Sequence, residues 1–155
     1  MPKLYITGSN AEGRSCVVET RELSTRDLAV APYAGDGPVP LLVKSTTRAR
    51  LLKGHSEPGT FQTAIFTWRP GMYTDPHRTV SVDVDVVLQG SVILGLEVGE
   101  VTLRQGDVAV LPGVVHVWRA THEEALVLYT IQTGKWSEED KAAETHDPMS
   151  IIHGM

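Results

Sequence analysis

The sequence predicts an all-β fold, either a sandwich or a barrel. Its 14 glycines and 9 prolines interrupt the chain at intervals of roughly eight to twelve residues, which is the spacing of short strands joined by turns. The segments between them are rich in valine, isoleucine, threonine and aromatic residues, which favour strands. The length of 155 residues suits one hydrophobic core.

Turn residues separate the predicted strands. Arg69-Pro70-Gly71, Gln105-Gly106-Asp107 and similar triplets supply a fixed φ at proline or a positive φ at glycine. The predicted strands are Leu4–Thr7, Ser15–Thr20, Leu41–Val43, Phe61–Trp68, Val80–Gln89, Ser91–Leu96, Glu100–Arg104, Asp107–Leu111, His116–Arg119 and Ala125–Gln132.

We expect residues 1–155 to form a single domain. Residues 1–60 would contain the first strands and an irregular N-terminal arm, because Leu28–Pro40 contains three prolines. Residues 61–133 would form the core barrel. Residues 134–155 would form a tail with one short helix, which begins at the N-cap Ser137 and carries acidic residues in its first turn.

Charge and composition exclude several classes of partner. The formal net charge is −5, and Lys and Arg are scattered, so no basic surface is expected for nucleic acid or an anionic membrane. The single cysteine, Cys16, cannot form an internal disulfide, which favours a reducing compartment. The sequence shows no apolar signal-peptide core, so a soluble cytoplasmic protein is expected.

Two spaced motifs carry the chemical information. The first places a glycine, a histidine, a threonine, an aspartate and a second glycine at Gly71, His77, Thr79, Asp83 and Gly90. If this segment is extended, alternation places residues 77, 79, 81, 83 and 85 on one face, and that face is polar. The opposite face is mostly valine.

The second motif begins at Gly106 and continues through Pro112-Gly113 to His116. In this order the two motifs resemble those of the cupin superfamily, although one residue is missing between the proline and the glycine. The segments Gly13-Arg14-Ser15 and His116-Val117-Trp118-Arg119 further resemble a poorly characterised group of single-domain cupins of bacteria and fungi. The resemblance implies a jelly-roll β-barrel or sandwich that pairs as a homodimer.

The resemblance also implies a metal site, which is altered in this chain. Cupins bind a divalent metal through two histidines, a glutamate and a further histidine. Here His77 and His116 match the family pattern, whereas Thr79 replaces the second histidine and Asp83 replaces the glutamate. One hypothesis is therefore a depleted site in which His77, Asp83 and His116 bind one divalent transition metal (Zn, Fe or Ni).

The alternative hypothesis needs no metal. His77, Asp83 and His116 would then act as general acid and base on a small molecule. Acid–base chemistry of the lyase, dehydratase, cyclase or isomerase kind, with or without assistance from a metal, is the preferred function. Thr79, Ser81 and Trp118 would contact the substrate. Trp118 would either stack on an aromatic ring of the substrate or fill the core of the barrel. Rival functions are a non-haem metal-dependent dioxygenase and a non-catalytic small-ligand-binding module.

Three further residues have competing interpretations. Asp85 shares the face of Asp83 and is either a second carboxylate of the site or a solvent-facing charge, and the second reading is favoured. Trp68 is expected in the core. His55 lies in a loop, where it is either solvated or a third imidazole of the site, and the solvated reading is favoured.

Overall fold

The computed structural model describes residues 1–23, 61–134 and 151–155. Every regular element in these ranges is a β-strand, which confirms the all-β prediction. The strands are β1 (Lys3–Ser9), β2 (Ser15–Glu22), β3 (Phe61–Trp68), β4 (Tyr73–Thr74), β5 (Ser81–Gln89), β6 (Ser91–Leu96), β7 (Glu100–Arg104), β8 (Val108–Pro112), β9 (His116–Ala120), β10 (Ala125–Thr133) and β11 (Ile152–His153).

The predicted strands within these ranges are confirmed to within a few residues. The two-residue strands β4 and β11 were not predicted, because two residues show no periodicity. The predicted strand Leu41–Val43, the irregular arm at Leu28–Pro40 and the short helix from Ser137 lie outside the described residues. In the described ranges, no helix is long and apolar enough to cross a membrane.

The strands form two sheets that pack as a sandwich. The six-stranded sheet has the order β2-β1-β8-β5-β10-β3, and the five-stranded sheet has the order β11-β4-β9-β6-β7. The pairing of β1 with β8 is parallel, and the other pairs are antiparallel. Both sheets contribute to one buried core, in which Val87, Leu111 and Val127 of the larger sheet join Leu94 and Trp118 of the smaller.

The central strand β5 determines which side chains enter the interior. Ser81, Asp83, Asp85 and Val87 are buried, and the intervening residues are half-buried on the other face. This confirms the predicted alternation from Ser81 onward. The alternation does not extend back to position 77, because residues 75–80 form bends and a single bridge rather than a strand.

Gly90, in the turn between β5 and β6, provides a test of this framework. Its φ is 70°, and an added Cβ would lie 2.3 Å from the carbonyl oxygen of Glu124 and 3.0 Å from Ala125 Cα. Gly99 is a matched control, because its φ is 81° but nothing lies within 4 Å of an added Cβ.

We expect Gly99→Ala to lower the free energy of unfolding by about 1–2 kcal/mol, which is the cost of a left-handed backbone for alanine. Gly90→Ala should cost at least about 1 kcal/mol more, because it adds a steric overlap with backbone. Urea unfolding of both variants measures the difference. Equal losses would show that the turn moves away from the added methyl group.

Candidate functional site

Two backbone hydrogen bonds join the two sequence motifs. The His77 N–H donates to the His116 carbonyl over 3.0 Å, and the His116 N–H donates to the His77 carbonyl over 2.9 Å. His116 is the first residue of β9, and His77 pairs with it as an isolated antiparallel bridge. The two imidazole rings consequently lie close together, with centroids 4.3 Å apart and planes tilted by 55°.

Backbone carbonyls fix the orientation of both imidazoles. His77 Nδ1 lies 2.8 Å from the Asp75 carbonyl oxygen, and His116 Nδ1 lies 2.9 Å from the Val114 carbonyl oxygen. Because a carbonyl oxygen only accepts, Nδ1 carries the proton in each ring and Nε2 keeps a lone pair. Both histidines therefore present a bare Nε2.

Burial keeps both imidazoles neutral. It lowers the pKa of His77, against the smaller opposing effect of Asp75. Burial, together with the neighbouring His77, lowers the pKa of His116 to about 3. A base this weak does not accept a full proton near neutral pH, so His116 is suited to accept a hydrogen bond or to bind a metal.

Asp83 is a titratable group of the site whose pKa burial moves towards neutral pH. Ser81 Oγ donates to Asp83 Oδ1 over 2.5 Å and also lies 2.7 Å from Thr79 Oγ1. Thr79 Oγ1 lies 3.5 Å from Asp83 Oδ2. Burial raises the pKa of Asp83 to about 6, although the hydrogen bonds from Ser81 and Thr79 oppose this effect.

Asp85 lies on the same inner face and is 2% exposed. The interpretation of Asp85 as a solvent-facing charge is therefore wrong. The alternation predicts its face but not that the second sheet covers that face. Neither carboxyl oxygen has a hydrogen-bond partner among the residues that the structure describes. Burial, followed by the nearby Asp83, raises the pKa of Asp85 well above its ordinary value.

An orphaned buried carboxyl is costly, since leaving one polar group unsatisfied costs about 1–3 kcal/mol. Buried polar groups without partners are rare in folded proteins and often mark a functional position. The unpartnered oxygens of Asp85 therefore distinguish it from Asp83, whose oxygens are engaged by two hydroxyl groups.

Two aromatic side chains extend the site in the interior, where Trp118 lies next to His116 and Tyr129 lies next to Trp118. Trp118 is 3% exposed and packs edge-on against both His116, at 6.2 Å, and Tyr129, at 5.7 Å. Trp118 is thus part of the core and a neighbour of the imidazoles at once. The Tyr129 hydroxyl accepts a hydrogen bond from Trp68 Nε1 over 2.8 Å. Burial, followed by Asp85, raises the pKa of Tyr129.

Tyr129 is a residue of this site that sequence reasoning missed. Its proximity to Asp85 follows from the pairing of β10 with β5, in which Tyr129 lies opposite Asp85. Residues opposite each other in an antiparallel pair project to the same face, so the two side chains share the interior. Alternation within β10 was the available signal, because Val127 and Tyr129 share one face.

A second unpredicted contribution comes from strand β11. His153 Nε2 lies 3.0 Å from Asp75 Oδ2, and the His153 ring stacks on Tyr73 with centroids 4.7 Å apart. The Asp75 N–H also donates to the Ile151 carbonyl over 3.0 Å. These contacts hold the loop whose Asp75 carbonyl orients His77.

The predicted metal ligands are only partly brought together. Across residues 1–23, 61–134 and 151–155, no three His, Cys, Asp or Glu side chains form a group that could hold a metal ion. The bare Nε2 atoms of His77 and His116 provide two adjacent donors, but Asp83 does not complete a set of three. Among the described residues, this donor set does not fit the predicted three-ligand site. His55 lies outside the described residues.

The Asp85 carboxyl predicts a pH-dependent stability. An unfolded aspartate ionises near pH 4, whereas burial keeps folded Asp85 protonated to higher pH. Ionisation therefore favours the unfolded chain, and folded-state stability is lost as the pH rises above about 4. Asp85→Asn should remove this loss. We expect its free energy of unfolding to equal that of the unchanged protein near pH 4 and to exceed it at pH 7. The difference should grow by up to about 1.4 kcal/mol per pH unit.

Urea unfolding at pH 4 and pH 7 measures this difference, and Asp107→Asn is the control variant. Asp107 is also buried, but its two oxygens accept from the backbone N–H groups of Lys3 and Arg104. Asparagine retains one acceptor oxygen, so this variant should lose about 1 kcal/mol at pH 7. Destabilisation of Asp85→Asn at pH 7 would contradict the assignment of a protonated, unpartnered carboxyl.

Comparisons with known proteins identify relatives of this chain. A cupin-domain-containing oxidoreductase of Neurospora crassa is 30% identical over 142 residues, which cover 84% of this chain and 72% of the relative. Phomopsin biosynthesis cluster protein C' of Diaporthe leptostromiformis is 36% identical over 132 residues, which cover 76% of this chain and 70% of the relative.

A solved structure of a cupin-like protein from Thermotoga maritima is 27% identical, with a TM-score of 0.43, and the match covers 56% of this chain and 75% of that chain. No family model matches the sequence. The Neurospora relative is matched over more than two thirds of its length, and its description names the same domain that the spacing of the two motifs predicts. This chain therefore belongs to the cupin superfamily.

Proposed function

We propose that this chain is a small-molecule enzyme that moves a proton to and from carbon, in chemistry of the lyase, dehydratase, cyclase or isomerase kind. The observation that carries the proposal is Asp83. It is a buried carboxyl with a pKa of about 6, and it lies inside the sandwich on the strand that follows His77. A general base works best when its pKa is near the operating pH.

The mechanism assigns different work to the three predicted catalytic residues. Asp83 takes the proton and returns it, because it is ionised above about pH 6. The neutral imidazoles of His77 and His116 accept hydrogen bonds from the substrate at their bare Nε2 atoms. One placed acid or base contributes about 10²–10⁴-fold, which suffices for a C–H bond that a neighbouring carbonyl already acidifies.

The predicted substrate contacts also divide into two kinds. Ser81 and Thr79 engage the Asp83 carboxyl with their hydroxyl groups, so they position the base. Trp118 lies beside His116 and provides an apolar wall for a flat, uncharged substrate. The description of the Diaporthe relative as a biosynthesis cluster protein supports small-molecule chemistry. A homodimer in the cytoplasm remains our prediction.

Proton exchange at carbon tests the proposal without knowledge of the product. The purified protein is incubated in D₂O with ketones and 1,3-dicarbonyl compounds, and ¹H NMR follows the loss of the C–H signal next to the carbonyl. We expect catalysed exchange whose rate rises with pH through about 6, as Asp83 loses its proton. Asp83→Asn should lower that rate by about 10²–10⁴-fold.

Glu22→Gln is the control for this measurement, because it removes one carboxylate from the exposed end of β2. It should exchange at the rate of the unchanged protein. Exchange that survives in Asp83→Asn would remove Asp83 from the role of base. The absence of catalysed exchange with every carbonyl compound would overturn the proposed function.

A metal-dependent oxidoreductase is the second candidate. The description of the Neurospora relative as an oxidoreductase favours it, and so do the two adjacent bare Nε2 atoms of His77 and His116. A redox metal bound there would supply oxygen chemistry, which an acid and a base alone do not supply.

Metal content separates the two candidates. Elemental mass spectrometry is applied to the untagged protein and to a His77→Ala/His116→Ala double variant. The acid–base proposal predicts carbonyl exchange that does not depend on metal content. About one iron per chain that is absent from the double variant, with substrate-dependent oxygen uptake, would favour the oxidoreductase instead.

A further inference from the structure

Asp85 is the buried titratable group that the proposed mechanism leaves unused. It follows Asp83 by two residues on β5, is 2% exposed, and projects into the interior of the sandwich. Both of its oxygens are without a hydrogen-bond partner in the part of the chain that the structure describes. The hydrogen-bonding capacity of such a buried group is satisfied only when a water molecule or a ligand forms a hydrogen bond with it.

The protonation state of Asp85 defines what it offers to a ligand. Burial and the nearby Asp83 both favour the neutral acid. A neutral carboxyl carries one O–H donor, whereas an ionised carboxylate only accepts. A carboxylic acid held neutral in an apolar site can donate to an oxygen that becomes negative during a reaction.

The surroundings of Asp85 suit an uncharged carbonyl compound. Tyr129 lies opposite Asp85 across the β5–β10 pair, and its ring contacts Trp118 edge-on at 5.7 Å. Neutral imidazoles lie beyond Trp118, with His116 at 6.2 Å from that ring. An anionic substrate is disfavoured here, since Asp83 is ionised above about pH 6.

The spacing of the two aspartates suits two adjacent atoms of such a substrate. Residues two apart on a strand are separated by about 7 Å, and both side chains project to one face. A base on one side and a donor on the other can therefore reach a C–H bond and the neighbouring carbonyl oxygen. The raised pKa of Asp83 suits a base. Asp85 is buried with neither oxygen partnered among the described residues, and this environment favours the acid form that can donate.

We propose that Asp85 is a catalytic residue that donates a hydrogen bond from its carboxyl O–H to the carbonyl oxygen of the substrate while Asp83 removes the neighbouring proton. This inference rests on the proposed function. The substrate class is a neutral, flat carbonyl compound with an acidic C–H bond beside the carbonyl.

The step is balanced without a co-reactant. The C–H bond breaks, and its proton goes to an oxygen of Asp83. The electron pair of that bond forms a carbon–carbon double bond, and the carbonyl π pair moves to oxygen. Asp85 keeps its proton and donates to that oxygen throughout. Return of the proton from Asp83 to the same carbon completes an exchange, and its return to the far carbon of a conjugated double bond completes an isomerisation.

The kinetic test uses the exchange assay with Asp85→Ala, which has no donor, and Asp85→Asn, which retains a weaker donor. We expect a loss of about 10²–10³-fold in the exchange rate of Asp85→Ala, the usual effect of removing one donor to a developing oxyanion. Asp85→Asn should be intermediate, and it serves if the alanine variant fails to fold. Equal rates in the unchanged protein and the folded variants would overturn the inference and leave Asp83 as base.

A binding test is independent of turnover. 2-Naphthol mimics a flat enol, and naphthalene is the same ring system without the hydroxyl group. Tryptophan fluorescence titration should show tighter binding of 2-naphthol in the unchanged protein, loss of that preference in Asp85→Ala, and its retention in Asp83→Asn. No preference in the unchanged protein, or a preference that persists in Asp85→Ala, would overturn the inference even if exchange is observed.

Discussion

The reciprocal backbone hydrogen bonds between His77 and His116 are the constraint on which the rest of the site depends. His77 precedes the central strand of the larger sheet, and His116 begins a strand of the smaller sheet. Their two N–H···O=C bonds, at 3.0 and 2.9 Å, therefore hold the segment that leads into β5 against the first residue of β9. Backbone atoms make this connection, so both side chains remain available for chemistry.

One physical cause then gives the interior its electrostatic character. Burial raises the pKa values of Asp83, Asp85 and Tyr129, and it lowers those of His77 and His116. Burial therefore favours the uncharged form of all five groups. At Asp83 the hydroxyl groups of Ser81 and Thr79 oppose this effect, and its pKa is about 6. Ser81, at the start of β5, and Thr79, just before it, thus favour the ionised form of Asp83 over its neutral form.

The fold could be predicted because glycine and proline mark turns locally. Within the described residues, the strands predicted between these turns are confirmed to within a few residues. The sequence also indicated His77, Asp83 and His116, whose spacing follows a known motif. It misjudged Asp85, because alternation gives the face of a strand but not what covers it. Alternation could place Tyr129 on the inner face of β10, but its proximity to Asp85 depends on the register between β10 and β5, which no local pattern determines.

The small strand β11 illustrates the same limitation at a greater distance along the chain. His153 had no motif spacing, yet it pairs with Asp75 and stacks on Tyr73. A two-residue strand has too little pattern to be predicted, and its partner lies far away in sequence. The orientation of His77 therefore depends on a contact that only the tertiary fold reveals.

The parallel pairing of β1 with β8 has a consequence for the order of folding. Thr7 Oγ1 donates to the Val110 carbonyl, and the Lys3 N–H donates to Asp107 Oδ1, across separations of 103 and 104 residues. During synthesis the β1–β2 hairpin can form early, but it must wait for about a hundred further residues before its outer edge is paired. Non-local contacts of this kind slow folding. The nascent chain therefore exposes an unpaired strand edge until β8 has been synthesised, and this edge is where association between unfinished chains would begin.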